Sequence, residues 1–191
     1  MKLLPKTINA AAVAVVCLLL SSCSSAPTVK GVSLALPASE FIAELQTKGF
    51  SLDSPGLYGA YVLSGPFAGL PFCKISVTAL ADGKIQDVYV ATGEIYTWSD
   101  IYNMFYELYG ALAAKYGEPE YKEMKFKTVF PVPEGQQMNA IRNGQCSYNA
   151  KWFKGGYVIF LKIDDDCEIK ILYTRRTESD SVDFGSASKD V

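Results

Sequence analysis

The chain has 191 residues, with 18 basic and 20 acidic side chains, no histidine and a formal net charge of −2. This balance excludes the basic stripe that nucleic-acid binding requires. The absence of histidine removes both the commonest zinc ligand and the commonest general base.

In chain order, the first feature is a basic start, Lys2 and Lys6, followed by an apolar run over residues 8–20. As a helix this run reaches about 20 Å, short of the roughly 30 Å hydrocarbon core, so a permanent transmembrane span is not expected. The run ends in Leu20-Ser21-Ser22-Cys23, which resembles the lipobox of bacterial lipoproteins. The resemblance implies cleavage of a signal peptide at residues 1–22, a thioether-linked diacylglyceryl group on Cys23, and acylation of the new N-terminus. Two or three acyl chains make a stable membrane anchor, where one is marginal. Ser24, in place of Asp, implies passage to the outer membrane of a bacterial cell envelope, facing the periplasm. Loss of residues 1–22 leaves 16 basic against 20 acidic residues.

A Ser/Pro/Thr-rich linker is expected over residues 23–32, one domain over 33–176 and a disordered polar tail over 177–191, which has little to bury. The domain divides into halves of about 33–95 and 96–176. In the first, Ser39 is expected to cap a short helix whose Phe41, Ile42 and Leu45 share a face, with Lys48-Gly49 as its end. Strands are predicted at 58–64, 73–79 and 85–91, the last two joined by Asp82-Gly83 in a type I′ turn. The second half repeats the plan. Thr97 and Asp100 form a capping-box pattern flanked by a Tyr96/Ile101 staple. Ile101, Phe105, Leu108, Leu112 and Tyr116 then recur at helical spacing until Gly117. Tyr102, Tyr106 and Tyr109 form a second band beside that stripe. A strand is predicted at 125–130, one or two helical turns at 136–142, and strands at 146–153, 157–163 and 167–174.

The resulting class is α+β: two tandem helix-plus-antiparallel-strand units in one domain, with the helices on one face of the sheet. The layout, over residues 35–175, resembles the beta-lactamase inhibitor protein fold, which implies a concave sheet used for binding.

Turn positions set register, and register assigns faces. A Gly155-Gly156 turn pairs Trp152 with Ile159 and Ala150 with Leu161. A turn centred on Asp165 pairs Ile159 with Ile171 and Leu161 with Ile169. One face is then apolar and should meet the helices. The other carries Lys151, Phe153, Val158, Phe160, Lys170 and Leu172, more apolar surface than a solvated face normally shows. Either another part of the chain covers these residues or they bind a partner. Lysines beside Phe160 add cation–π contacts and favour an acidic partner.

With Cys23 lipidated, Cys73, Cys146 and Cys167 can form at most one disulfide, and their spacings are not those of a zinc or redox site. They read as buried thiols or one bridge, and the Cys146/Cys167 pair is disfavoured by strand separation. Asp164-Asp165-Asp166 lacks the glycine and distal glutamate of a calcium loop and reads as a hairpin tip. No cofactor or metal is expected.

These features point to a membrane-anchored binding module, not an enzyme, docking a protein or envelope-assembly partner on the outer sheet face. The alternative is glycan or small-ligand capture by Trp98, Tyr102 and Trp152. A histidine-free hydrolase is the remaining class.

Overall fold

The computed structural model describes residues 26–55 and 60–176. The segment expected to be a signal peptide, Cys23, Tyr58 and residues 177–191 lie outside the described residues. The protein is α+β, and its main sheet has eight antiparallel strands.

The chain enters through a small hairpin, β1 (Thr28–Val29) and β2 (Val32–Ser33). Residues 26–32 are thus part of the domain and not of the expected linker: Val29 and Val32 are buried, and Lys115 Nζ donates to the Thr28 carbonyl at 2.9 Å. Helix α1 (Ala38–Thr47) buries Phe41, Ile42 and Leu45 as their spacing dictates. Its N-cap is Pro37, not Ser39, and the Ala38 N–H donates to the Gly83 carbonyl at 2.9 Å. A backbone partner in the sheet replaces the side-chain cap.

Four strands follow: β3 (Ser51–Pro55), β4 (Ala60–Phe67), β5 (Leu70–Ala79) and β6 (Ile85–Ala91). Helix α2 (Trp98–Tyr116) opens with Thr97 Oγ1 accepting from Asp100 N at 3.1 Å and buries Ile101, Phe105, Leu108 and Leu112. Tyr96 is 74% exposed, so the Tyr96/Ile101 staple does not form. Strand β7 (Tyr121–Phe126), a short helix α3 (Gln137–Arg142), and strands β8 (Cys146–Lys154), β9 (Tyr157–Ile163) and β10 (Ile169–Arg175) complete the domain.

The strand order β3-β4-β5-β6-β10-β9-β8-β7 gives each half a helix and a four-strand meander; β3 is one strand more than the sequence predicts for the first half, and the strand predicted at 125–130 forms earlier, as β7. The meanders join through their last strands, with Ile171 opposite Val90 and Tyr173 opposite Val88. Tyr157 fastens this junction. Its buried hydroxyl donates to the Leu34 carbonyl at 3.0 Å and accepts from Arg175 at 2.7 Å.

Gly155 and Gly156 both have positive φ, and the pairs Trp152/Ile159 and Ala150/Leu161 form as predicted. The next turn is displaced: Ile171 faces Leu161 and Leu172 faces Phe160, two residues from the predicted register. The cause is a three-residue loop closed by Asp164 N to Glu168 O and Cys167 N to Asp164 O, with Cys167 left-handed at φ 60°. A two-residue shift preserves the faces because side chains alternate with period two. The Asp82-Gly83 turn has the same form, not type I′. There Leu80 N bonds Lys84 O, Gly83 N bonds Leu80 O, and Gly83 is left-handed at φ 81°.

The face toward the helices is closed. Val77, Val88, Ile159, Leu161, Ile169, Trp152 and Tyr173 are at most 2% exposed. Cys73, Cys146 and Cys167 are free thiols, and burial pushes the Cys73 thiol up to about 11, away from reactivity.

Candidate functional site

The outer face is assembled by the register across all eight strands. Its central row reads Tyr121–Lys151–Phe160–Leu172–Tyr89–Ser76–Val62. A second row reads Phe153–Val158–Thr174–Asp87–Thr78–Ala60, and a third runs Glu123–Asn149–Lys162–Lys170–Ala91–Lys74–Ser64. Val158, Phe160, Leu172 and Tyr89 are only partly buried, Phe153 is exposed, and the inner residues of the same strands are sealed. The expectation that residues 121–144 or the first half might cover these side chains is not met among the described residues. The first half extends the same sheet sideways, and α1 and α2 both lie on the other face.

The predicted residues come together with two changes. Leu172 sits beside Phe160, not Val158, because of the register shift. It continues the apolar row into Tyr89 of β6. The sequence does not point to Tyr89, because nothing local to β6 shows that it pairs with β10. The second change concerns Lys170, whose side chain is 12% exposed and whose ammonium is held by Asp164 Oδ2 at 2.7 Å and by Asp166. Its charge serves the β9–β10 turn and is not presented for docking.

Lys162 meets the same Asp164 oxygen at 3.0 Å. Burial opposes ionisation of Asp164, but hydrogen bonds from Lys170 and Lys162 outweigh it and hold the carboxyl down to about 2. The three aspartates bring carboxylate oxygens within 4.8 Å of one another, but two of the three already face lysines. The cluster is a charged hairpin clamp.

Cations over aromatic rings mark the rest of the face. Lys151 Nζ lies 5.8 Å from the Phe160 ring centroid, as predicted, Lys170 Nζ 6.0 Å from Tyr89, and the Arg176 guanidinium 4.9 Å from Phe153. Shallow hollows open here, one of them, of about 320 Å³, lined by Asn149, Phe160 and Lys162 together with Lys127 and Gly144. Another, of about 400 Å³, is lined by Glu120, Tyr121, Lys151 and Phe153, and a third, of about 460 Å³, includes Phe72, Lys74, Ser76 and Tyr89. Toward β3, Ser64 Oγ donates to Asp53 Oδ2 at 2.5 Å, and at the junction of β6 and β10 Thr174 donates to Asp87, so these polar side chains satisfy one another.

The alternative aromatic set does not assemble as one site. Trp152 is 1% exposed, faces the helices and donates its Nε1 hydrogen to the Gly117 carbonyl at 2.8 Å, so it is a core residue. Trp98 packs within 5.2–5.4 Å of Tyr102, Phe126 and Tyr148, fastening α2 to β7 and β8. Of that set Tyr102 is the exposed member, and it lies beside Tyr106, each 37% exposed with ring centroids 4.6 Å apart.

Among the described residues, no helix is long and apolar enough to cross a membrane. The chain matches no protein-family model, no curated protein and no solved structure.

Proposed function

We propose that the protein is a lipid-anchored module of the bacterial cell envelope that binds another envelope protein on the outer face of its sheet. The observation that carries this reading is the open row Phe160–Leu172–Tyr89, flanked by Phe153 and Val158, on a sheet whose opposite face is fully packed. A solvated antiparallel face normally alternates to polar residues, and contiguous exposed apolar surface marks interaction sites. Aromatic centres with a polar rim are also the composition of protein interfaces. The membrane attachment rests on Leu20-Ser21-Ser22-Cys23, and the partner lies in the compartment that this motif specifies.

The test is a photoreactive residue at position 160 in the lipidated protein, irradiated in intact envelopes. One discrete crosslinked envelope protein is expected, with intact mass showing the lipid increment at Cys23. Absence of any crosslink from 160, with the increment present, overturns docking while sparing the anchor. A mass without lipid overturns the anchor alone.

A second reading, glycan capture, is favoured by the adjacent, partly exposed rings of Tyr102 and Tyr106, tilted 48° to one another. It predicts that soluble glycan fragments alter tyrosine fluorescence in the wild-type protein but not in Tyr106→Ala.

A further inference from the structure

We infer that the edge strand β7 pairs with β7 of a second copy of this chain about a two-fold axis at Met124, joining two eight-stranded sheets into one. This goes beyond the proposed function and does not depend on it.

Strands β3 and β7 are the two ends of the strand order, and an unpaired edge is a template for another strand unless something blunts it. The β3 edge is blunted: its register slips between Leu52 and Ser54, and it ends in Pro55. The β7 edge is not. Its register against β8 is unbroken from Tyr121 to Phe126, it contains no proline, and no strand lies beyond it among the described residues. Helix α2 packs mainly over β8, β9 and β10, set back from this edge. Just past the strand, Lys127 N donates to Gln145 O at 2.7 Å, directly across the ladder. Hydrogen-bonded residues alternate along an antiparallel strand. Tyr121, Glu123 and Lys125 therefore bond to β8, and the N–H and C=O groups of Lys122, Met124 and Phe126 point away from the sheet.

That alternation restricts how a second β7 can pair, because only outward-pointing residues can exchange bonds across the seam. Charge selects among the registers that remain. With Met124 opposite itself, Lys122 lies opposite Phe126, and each such pair exchanges both backbone bonds. On the outer face, Glu123 of each copy then lies opposite Lys125 of the other, at the closely spaced sites between the bonded pairs. A slip of two residues one way sets Glu123 against Glu123, and the other way Lys125 against Lys125. Opposite charges across a strand pair stabilise it and like charges oppose it, so the register centred on Met124 is favoured. Glu123 is already positioned for this role. Its Oε1 meets Lys125 of its own chain at 2.8 Å, and its Oε2 accepts from Tyr121 at 3.2 Å and from Ser147. Pairing closes the two glutamates and two lysines into a ring of alternating charge. Lys125, which alone would discourage edge pairing, finds a carboxylate across the seam. The contact is isologous, as a closed dimer requires. It places both open faces on the same side of the joined sheet and the helices on the other.

The experiment is native mass spectrometry of the full-length protein in detergent over a range of concentrations, with circular dichroism confirming that each variant is folded. Wild type is expected to give a concentration-dependent dimer. Met124→Pro removes an outward N–H, a change that an edge strand tolerates, and is expected to give folded monomer. Glu123→Lys and Lys125→Glu each place like charges across the seam and are expected to weaken the dimer about tenfold. Mixed in equal amounts, the two charge variants recover both opposite-charge pairs and are expected to form a heterodimer about as tight as the wild-type dimer. If Met124→Pro does not fold, the charge variants decide alone. Wild type that stays monomeric at every concentration overturns the inference, as does a dimer that survives in folded Met124→Pro. A dimer that Lys125→Glu leaves unweakened, or charge variants that fail to pair when mixed, also overturns it.

Discussion

Strand β9 carries two kinds of apolar residue. Tyr157, Ile159, Leu161 and Ile163 are at most 5% exposed on the side of the helices, whereas Val158 and Phe160 stand partly open on the other side. Composition and strand propensity are alike on both sides, so hydrophobicity alone does not define the core; cover does. Helices α1 and α2 close one face, and the other keeps aromatic side chains at the boundary with water. That difference separates residues that hold the fold from residues available for binding.

The largest effect should come from emptying the covered face. Trp152→Ala removes a sealed ring and its hydrogen bond to Gly117, and should cost about 3–5 kcal/mol in denaturant unfolding. Adding volume there is also resisted. A Cβ on Gly65 would lie 2.6 Å from the Phe50 ring and 2.9 Å from its Cα, so Gly65→Ala should lose about 1–3 kcal/mol. Similar stability for wild type and Gly65→Ala would show the inner face to be looser than its burial implies.

Tyr157→Phe keeps the ring but removes the hydroxyl that joins Leu34, Arg175 and the two halves. It should cost about 1–2 kcal/mol, measured by chemical denaturation.

On the open side, Asp164→Asn breaks the clamp on Lys162 and Lys170, with a loss of about 1 kcal/mol at neutral pH once solvent screening is counted. Because the folded Asp164 carboxyl sits at about 2, below its ordinary value of 3.8, its contribution is complete above roughly pH 4 to 5. It fades as pH falls toward 2. The gap between the stability curves of the variant and the wild type should therefore narrow from about pH 4 and close below pH 2, and a constant gap from pH 7 to 2 would mean that the carboxylate charge is not what matters.

Much of this two-faced sheet is legible in the chain. Gly155-Gly156 sets one register outright, and the helical spacing of Ile101, Phe105, Leu108 and Leu112 names the covering stripe. The β9–β10 register escapes because Cys167 adopts a left-handed conformation that favours glycine. Ser51-Leu52-Asp53-Ser54-Pro55 carries one large apolar residue and a proline, too weak a pattern for a strand, yet it forms the sheet edge. Tyr89 escapes for a different reason. Its neighbour Leu172 is 83 positions away in sequence, and only the pairing of the two halves brings them together.

The most direct test is the unfolding free energy of Phe160→Ala beside that of Ile159→Ala, its immediate neighbour on the covered face. The account predicts about 2–5 kcal/mol lost for Ile159→Ala and less than about 1 kcal/mol for Phe160→Ala, with co-purification of the envelope partner lost only in the latter among well-folded variants. Equal, multi-kilocalorie losses would make Phe160 a core residue and contradict the binding face.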